Sequence, residues 1–185
     1  MPSADLFPSL RPDELDFDQQ AFYQALTGGR RAGATSVVPL TDDEGRLAGP
    51  FAPLLYAPLV GDAVQRLGER IRYDLNLSDR EREMVTLFVA GRCDSAYEVF
   101  AHRRLAPVAG VSEAEVAELA EGRQPAGIGD RERAALALAR ELCDGRPAPE
   151  AVAAAVEAMG RQAVVEVTLV VGYYRMLAGL LDTCT

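Results

Sequence analysis

The sequence predicts a chain built only of α-helices. Apolar residues recur at helical intervals along most of its length. Two segments begin with a serine that is followed three residues later by a glutamate, the capping box that starts a helix. No stretch alternates apolar and polar residues as a half-buried strand does, and there is no Asn-Gly hairpin turn. We therefore expect an all-α fold of about six to eight helices with no sheet.

The composition is that of a globular chain. Hydrophobic residues make up 49% and charged residues 25% of the 185 residues, which excludes wholesale disorder. The formal charge of -9 argues against a nucleic-acid partner, because phosphate contacts need clustered lysine and arginine. The sequence shows no signal peptide, and its three widely spaced cysteines fit a reducing compartment, so we expect a cytoplasmic protein.

The N-terminal part is expected to differ from the rest. Residues 1–35 hold three prolines and three glycines, with one plausible helix from Pro12 or Asp13 to Leu26. This composition predicts a loosely attached N-terminal arm with one helix. Residues 36–185 are expected to form a single helical domain.

The segment from Ser36 to Tyr56 is rich in proline and glycine but also apolar. Such an apolar loop is expected to pack against the rest of the protein, and Phe51 and Tyr56 could line a substrate pocket. The alternative is that the two aromatic side chains only complete the edge of the core.

The central helix is expected to follow Ser78. Before it, an apolar stripe between Pro58 and Asn76 predicts another helix. Ser78 and Glu81 form a capping box, and the helix they begin is apolar almost all round, with Gly91 as its plausible end. Further helices are expected over residues 94–109, 112–122, 130–143, 147–160 and 162–181. The last of these carries Glu166 and Arg175, so it is predicted to be a buried helix with no membrane span.

The candidate chemistry lies around His102, the only histidine of the chain. On a helix, Ser95, Glu98 and His102 fall at i, i+3 and i+7 and share one side, so a carboxylate and an imidazole would touch. An antiparallel hairpin would add Glu83 from the preceding helix. These polar groups are set among apolar residues, and burial is expected to raise the pKa values of the carboxylates towards working pH, which makes this cluster a candidate proton-transfer site.

Other chemistries have weaker support. A glutamate four residues before a histidine is often only a structural pair. One histidine and two carboxylates could form a metal site, but no second histidine supports it, and we expect no metal. Cys93 lacks the spacing of a redox dithiol, since Ala96 stands three residues later. There is no glycine-rich phosphate loop, so no nucleotide cofactor is expected.

The order Glu83, Ser95, Glu98 and His102, at intervals of twelve, three and four, resembles the carboxymuconolactone decarboxylase family, part of the AhpD-like alkylhydroperoxidase superfamily. In the peroxidase branch the two middle positions are cysteines, which form the disulfide that the peroxidase needs. Here they are Ser95 and Glu98. In the decarboxylase branch a glutamate four residues before the histidine is typical. Flanking segments between about residue 40 and residue 182 are also similar.

This resemblance implies an AhpD-like helical bundle that assembles as a homo-oligomer, a trimer or a hexamer. It also implies loss of carbon dioxide from a small carboxylated lactone or keto acid, without a cofactor, or a related lyase, isomerase or hydrolase reaction. On this hypothesis His102 donates or shuttles the proton, Glu98 sets its tautomer and charge, and Glu83 orients or recharges the pair. Ser95 would hydrogen-bond the substrate or a water.

An acidic substrate also needs a cationic contact. The candidates near the cluster are Arg72, Arg80, Arg92 and Arg103, and Tyr97 is a further candidate for substrate binding. Two other functions stay open. One is a hydroperoxide reductase that uses Cys93 as its nucleophile, and the other is a non-catalytic helical oligomer that binds a small molecule.

Overall fold

The computed structural model describes residues 6–30 and 37–184, and it confirms the all-helical prediction. Within these ranges there is no sheet, and an isolated antiparallel bridge joins Thr41 to Leu47. Short 3₁₀ helices occur at Pro12–Glu14 and Ala106–Ala109. The α-helices are α1 (Phe17–Thr27), α2 (Phe51–Leu54), α3 (Pro58–Tyr73), α4 (Asp79–Arg92), α5 (Ala96–Leu105), α6 (Glu113–Ala120), α7 (Asp130–Asp144) and α8 (Pro149–Cys184).

Contacts divide the chain into two compact units. The first consists of Met1–Arg70 and Gly179–Thr185, and the second of Ile71–Ala178. The boundary expected near residue 35 falls among residues 31–36, outside the described residues, so that division of the chain stays a prediction. All four members of the candidate proton-transfer cluster belong to the second unit.

In the first unit, α1 is part of the core. Asp16 accepts a hydrogen bond from the Gln19 backbone N–H and so begins α1, which is why the helix expected from residue 12 or 13 starts later. Phe22 and Leu26 on α1 are 2% and 1% exposed. They lie in one apolar cluster with Leu47, Phe51, Leu54 and Leu55. The expectation of a loosely attached arm was therefore wrong for α1, because the buried area of two large side chains anchors it.

In the second unit, α4 is the central helix, as expected. Its Val85, Leu87 and Val89 are fully buried, and it packs against α5, α6 and α7. The predicted capping box is confirmed: the Ser78 hydroxyl accepts from the Glu81 N–H, and the Glu81 carboxylate accepts from the Ser78 N–H. The start of α4, and with it the position of Glu83, is thus defined by local hydrogen bonds.

Gly91 is not the end of α4. The helix continues to Arg92, and the residue with positive φ that follows it is Asp94 (φ 50). A Cβ on Gly91 would lie 2.5 Å from the Gly122 nitrogen and 2.7 Å from the Ala120 carbonyl oxygen. Glycine is needed here because the end of α4 approaches the backbone that follows α6 too closely for a side chain.

Two further features concern α8. At Gly160 (φ 83, ψ 162) the backbone leaves the helical conformation, where the sequence predicts a helix end. Glu166 is buried and accepts hydrogen bonds from the Asn76 and Leu77 N–H groups, each at 2.9 Å, which fixes the loop before α4. By length and composition α8 could cross a membrane, with a mean hydropathy of 1.5, but a core helix of a soluble protein passes the same test.

The close approach of α4, at Gly91, to the backbone after α6 predicts the effect of a substitution at Gly91. Gly91→Ala should lower the free energy of unfolding by about 1 to 3 kcal/mol, because the added methyl group meets backbone atoms that cannot rotate away. Chemical denaturation of the two proteins measures this difference.

Gly172→Ala on α8 is the matched control. A Cβ there has no neighbour within 4 Å, so alanine should be neutral or stabilise the helix by up to about 1 kcal/mol. If Gly91→Ala were as stable as the parent chain, the contact between α4 and the segment after α6 would not be as close as described.

Candidate functional site

The predicted cluster forms where α4 packs against α5. Glu83 projects from α4 and His102 from α5, and the Glu83 Oε2 atom lies 2.7 Å from His102 Nδ1. The two residues are 3% and 5% exposed. The hairpin geometry expected from the sequence therefore brings these two residues into direct contact inside the protein.

Glu98 lies on the other side of the imidazole. It precedes His102 by one turn of α5, and its Oε2 atom is 3.6 Å from His102 Nε2, longer than a hydrogen bond. Each ring nitrogen thus faces its own carboxylate. The hydrogen bond that orients the ring comes from Glu83, whereas Glu98, which was expected to set the tautomer and charge of His102, lies beyond hydrogen-bond distance.

Glu83 is held in its ionised form, so the expectation of a raised carboxylate pKa was wrong for this residue. Burial alone would raise its pKa, but the charges and hydrogen bonds of His102 and Arg82 outweigh burial and lower the pKa to about 2. Arg82 donates to Glu83 Oε1 at 3.2 Å, and its side chain is only 11% exposed. At neutral pH Glu83 is therefore an acceptor, so His102 carries a proton on Nδ1.

The arrangement can pass protons. An imidazole that gains a proton at one nitrogen and loses one at the other relays it between the groups it faces. Here those groups are Glu83 at Nδ1 and Glu98 at Nε2.

Ser95 has a buried hydroxyl at the start of α5. It is the residue before α5, but its side chain makes no capping hydrogen bond. Its Oγ atom, like Oγ1 of Thr86 on α4, is buried without a hydrogen-bond partner in the described part of the chain. Buried hydroxyls are nearly always hydrogen-bonded, so these two atoms are suited to a water or a polar ligand.

Aromatic side chains surround the cluster. The Tyr174 ring on α8 meets the His102 ring edge to face at 5.1 Å between centroids, and Tyr173 packs against Tyr174 at 5.3 Å. Burial, with a smaller contribution from the charge of Glu98, raises the pKa of Tyr97 to about 12. Tyr97 is therefore a neutral phenol at working pH, available as a hydrogen-bond donor.

Two residues of the site were missed in the sequence. Arg82 could have been noticed only as the neighbour of Glu83, and it stands among several charged residues at the start of α4. Tyr174 is far from His102 along the chain, and nothing in the sequence places it next to the ring.

The predicted substrate-binding arginines differ in their surroundings. Arg80 bridges α4 to α6 and α7, with Nε 2.7 Å from Glu132 and the two Nη atoms on Glu115, and these carboxylates raise its pKa. Arg92 pairs with Asp144. The guanidinium of Arg72 lies over the Tyr73 ring, 5.7 Å from its centroid, and Arg103 is exposed on α5.

Phe51 and Tyr56 lie in the first unit. Phe51 belongs to its apolar core, and the Tyr56 hydroxyl donates to the Pro8 carbonyl at 2.7 Å. Both side chains thus have structural contacts, and their part in a substrate pocket stays a prediction.

Metal and thiol chemistry find little support in the geometry. Glu83 and Glu98 face different nitrogens of His102, and within residues 6–30 and 37–184 no three side chains of the ligating types are arranged to hold a metal ion. Cys93, Cys143 and Cys184 form no disulfide. Burial and the neighbouring Cys93 raise the pKa of Cys143, which lowers its thiolate fraction.

Known proteins share both the sequence pattern and the fold. Residues 58–141 match the family model of the carboxymuconolactone decarboxylase family. Among solved structures, the chain is similar to one described as an alkylhydroperoxidase AhpD core, an uncharacterized peroxidase-related protein from Ralstonia eutropha JMP134. The TM-score is 0.73, with 17% identity over 96% of this chain and 88% of that one. No curated protein matches the chain significantly.

The structural similarity, at this low identity, shows the fold alone: this is an AhpD-like helical fold. The family match is independent of it and spans α3 to α7, including Glu83, Ser95, Glu98 and His102. Over residues 58–141, and including all four residues of the cluster, the chain is thus similar to the carboxymuconolactone decarboxylase family.

Proposed function

We propose that the protein is a cofactor-independent decarboxylase, or a related lyase or isomerase, that acts on a small carboxylated lactone or keto acid by proton transfer. The observation that carries this proposal is the buried imidazole of His102 between two carboxylates, hydrogen-bonded to an ionised Glu83. The similarity of residues 58–141 to the carboxymuconolactone decarboxylase family supports the reaction class.

The chemistry required is simple to state. When the bond to the carboxylate carbon breaks, its electron pair stays on the substrate as a carbanion or dienolate, carbon dioxide leaves, and a proton must be added to carbon. His102 delivers that proton, the ionised Glu83 orients the ring through Nδ1, Glu98 faces Nε2, and solvent restores the proton. The hydroxyl of Ser95 would bind a substrate oxygen or a water.

The same proposal includes a homo-oligomeric state, a trimer or hexamer, and a cytoplasmic location. The outer face of α8 supports oligomerisation, since Val165, Leu169 and Met176 are 58%, 45% and 43% exposed. Apolar side chains on one face of a helix are typical of a surface that is covered by another chain.

A hydroperoxide reductase is the second candidate, because the similar crystal structure is described as a peroxidase-related protein. In that reaction the thiolate of Cys93 would attack the peroxide, release an alcohol and become a sulfenic acid that a second thiol reduces. Cys93 is half-buried at the end of α4, and the two positions at which the peroxidase branch has cysteines hold Ser95 and Glu98.

His102→Gln should lower turnover by about 10² to 10⁴-fold if the imidazole moves the proton. The assay is carbon dioxide release, or loss of ultraviolet absorbance, across a panel of carboxylated lactones and keto acids. Glu157→Gln, which changes an exposed carboxylate of α8, is the control and should keep full activity.

Three results would count against this function. A folded His102→Gln protein with unchanged turnover removes the role of the imidazole. Peroxide consumption that disappears in Cys93→Ser, without any release of carbon dioxide by the parent, favours the reductase. Binding without turnover across the panel favours a non-catalytic protein.

The lowered pKa of Glu83 predicts a pH dependence of stability. Because the folded chain holds this carboxyl at a pKa of about 2, below its ordinary 4.5, the stabilisation is complete above pH 4.5 and is lost as the pH falls toward 2. It amounts to no more than about 3 kcal/mol. Unfolding free energies of the parent and of Glu83→Gln, measured from pH 5.5 downward, should therefore converge at the acid end.

His102→Gln tests the cause of that dependence. Without the imidazole the pKa of Glu83 should rise, so the loss of stability begins at a higher pH. Parallel curves for the parent and Glu83→Gln would mean that Glu83 does not titrate with a lowered pKa in the folded protein.

A further inference from the structure

A cavity of about 110 Å³ opens beside Glu83 in the second unit. It lies between the end of α3, the first turns of α4 and the segment that follows α5. It is lined by charged residues and by apolar ones: Arg72, Asp79, Arg82 and Glu83, and Leu105, Val108 and Ala109. Glu83 thus contacts the cavity and His102 at the same time.

The volume limits what can enter. Pockets for drug-sized ligands are about 300 to 1,000 Å³, so this cavity suits a small molecule or one end of a larger one. Because the cavity is lined by both charged and apolar side chains, it suits a molecule with a charged group and an apolar body.

The arginines near the cluster are not equivalent. Arg82 is engaged by Asp79 and Glu83. Arg80 is engaged by Glu115 and Glu132 and does not line the cavity. These guanidinium groups already have carboxylate partners within the protein, and adding a substrate carboxylate would require an existing ion pair to be shared or broken.

Arg72 is different. It lines the cavity, and its contact in the described residues is the face of the Tyr73 ring, not a carboxylate. A guanidinium stacked over an aromatic ring keeps its in-plane N–H groups available for a carboxylate, which it can bind through two parallel hydrogen bonds.

We propose that Arg72 binds the carboxylate of a small organic acid in this cavity, with the apolar body of the acid against Leu105 and Val108. An acid bound in this cavity lies on the Glu83 side of His102. The acid contacts Glu83, which orients the ring through Nδ1, while Glu98 faces Nε2. The catalytic use of this side of His102 rests on the proposed function, but the binding of the acid does not.

The two carboxylates at the cavity do not prevent this binding. Glu83 is hydrogen-bonded to both Arg82 and His102. Asp79 shares Arg82 with Glu83, and the Asp79 side chain is 79% exposed, so water and salt screen its charge. Arg72 is left as the cation that faces an incoming anion.

The test is a calorimetric titration of the full chain with a butenolide carboxylate, a five-membered unsaturated lactone bearing one carboxylate, and with its methyl ester. The acid should bind, and the ester should bind about tenfold more weakly or not at all. Arg72→Gln should weaken the affinity for the acid by a similar factor and leave the affinity for the ester unchanged. Arg72→Lys keeps the positive charge and should recover part of the lost affinity for the acid.

Two further variants distinguish binding in the cavity from a general effect of protein charge. Val108→Trp replaces a side chain that is 78% exposed at the cavity, so it should block binding of the acid without changing any ion pair. Arg161→Gln removes an exposed positive charge on α8 and should leave the affinity unchanged.

The outcomes distinguish this proposal from the proposed function. Equal affinity for acid and ester, no binding of the acid, or an Arg72→Gln protein that binds as the parent does would overturn the role of Arg72, even if carbon dioxide is released. If the acid binds in a way that depends on Arg72, but no acid of the panel is turned over, the Arg72 binding site is supported and the decarboxylase function is rejected.

Discussion

The hydrogen bond between Glu83 and His102 is the interaction on which the rest of the site depends. A buried carboxylate is costly unless it is paired, and here Arg82 and His102 hold one oxygen each. The resulting charge on Glu83 decides which nitrogen of the imidazole carries a proton. The second carboxylate, Glu98, lies one turn before His102 on α5 and faces the opposite nitrogen. Without this bond the cluster would be three unrelated polar groups in an apolar interior.

The fold keeps the two partners of that bond in place through α4. The Ser78 capping box fixes where the helix starts, and Glu166 on α8 holds the loop just before it. Arg80 ties its first turn to α6 and α7, and the absence of a side chain at Gly91 lets its last turn approach the backbone after α6. Arg80 and Gly91 thus fix the two ends of the helix that carries Glu83.

Much of this architecture could be predicted from local patterns. Capping boxes and apolar stripes gave the helix starts, and the spacing of Glu83, Ser95, Glu98 and His102 indicated the cluster. The features that could not be predicted are contacts between segments that lie far apart in the sequence. The i, i+4 spacing showed that Glu98 is near His102 but not that Glu83 makes the closer contact. Gly91 looked like a helix end because its true constraint, the backbone near Gly122, is a tertiary one, and Tyr174 reaches the ring only through packing.

The central claim can be tested on the histidine itself. The chain has one histidine, so a nitrogen-15 spectrum of the labelled protein contains a single imidazole. We predict that the neutral ring is protonated at Nδ1, with a signal typical of a strong hydrogen bond that Glu83→Gln abolishes, while Glu157→Gln leaves it unchanged. A ring protonated at Nε2, or a spectrum that Glu83→Gln does not alter, would contradict the account.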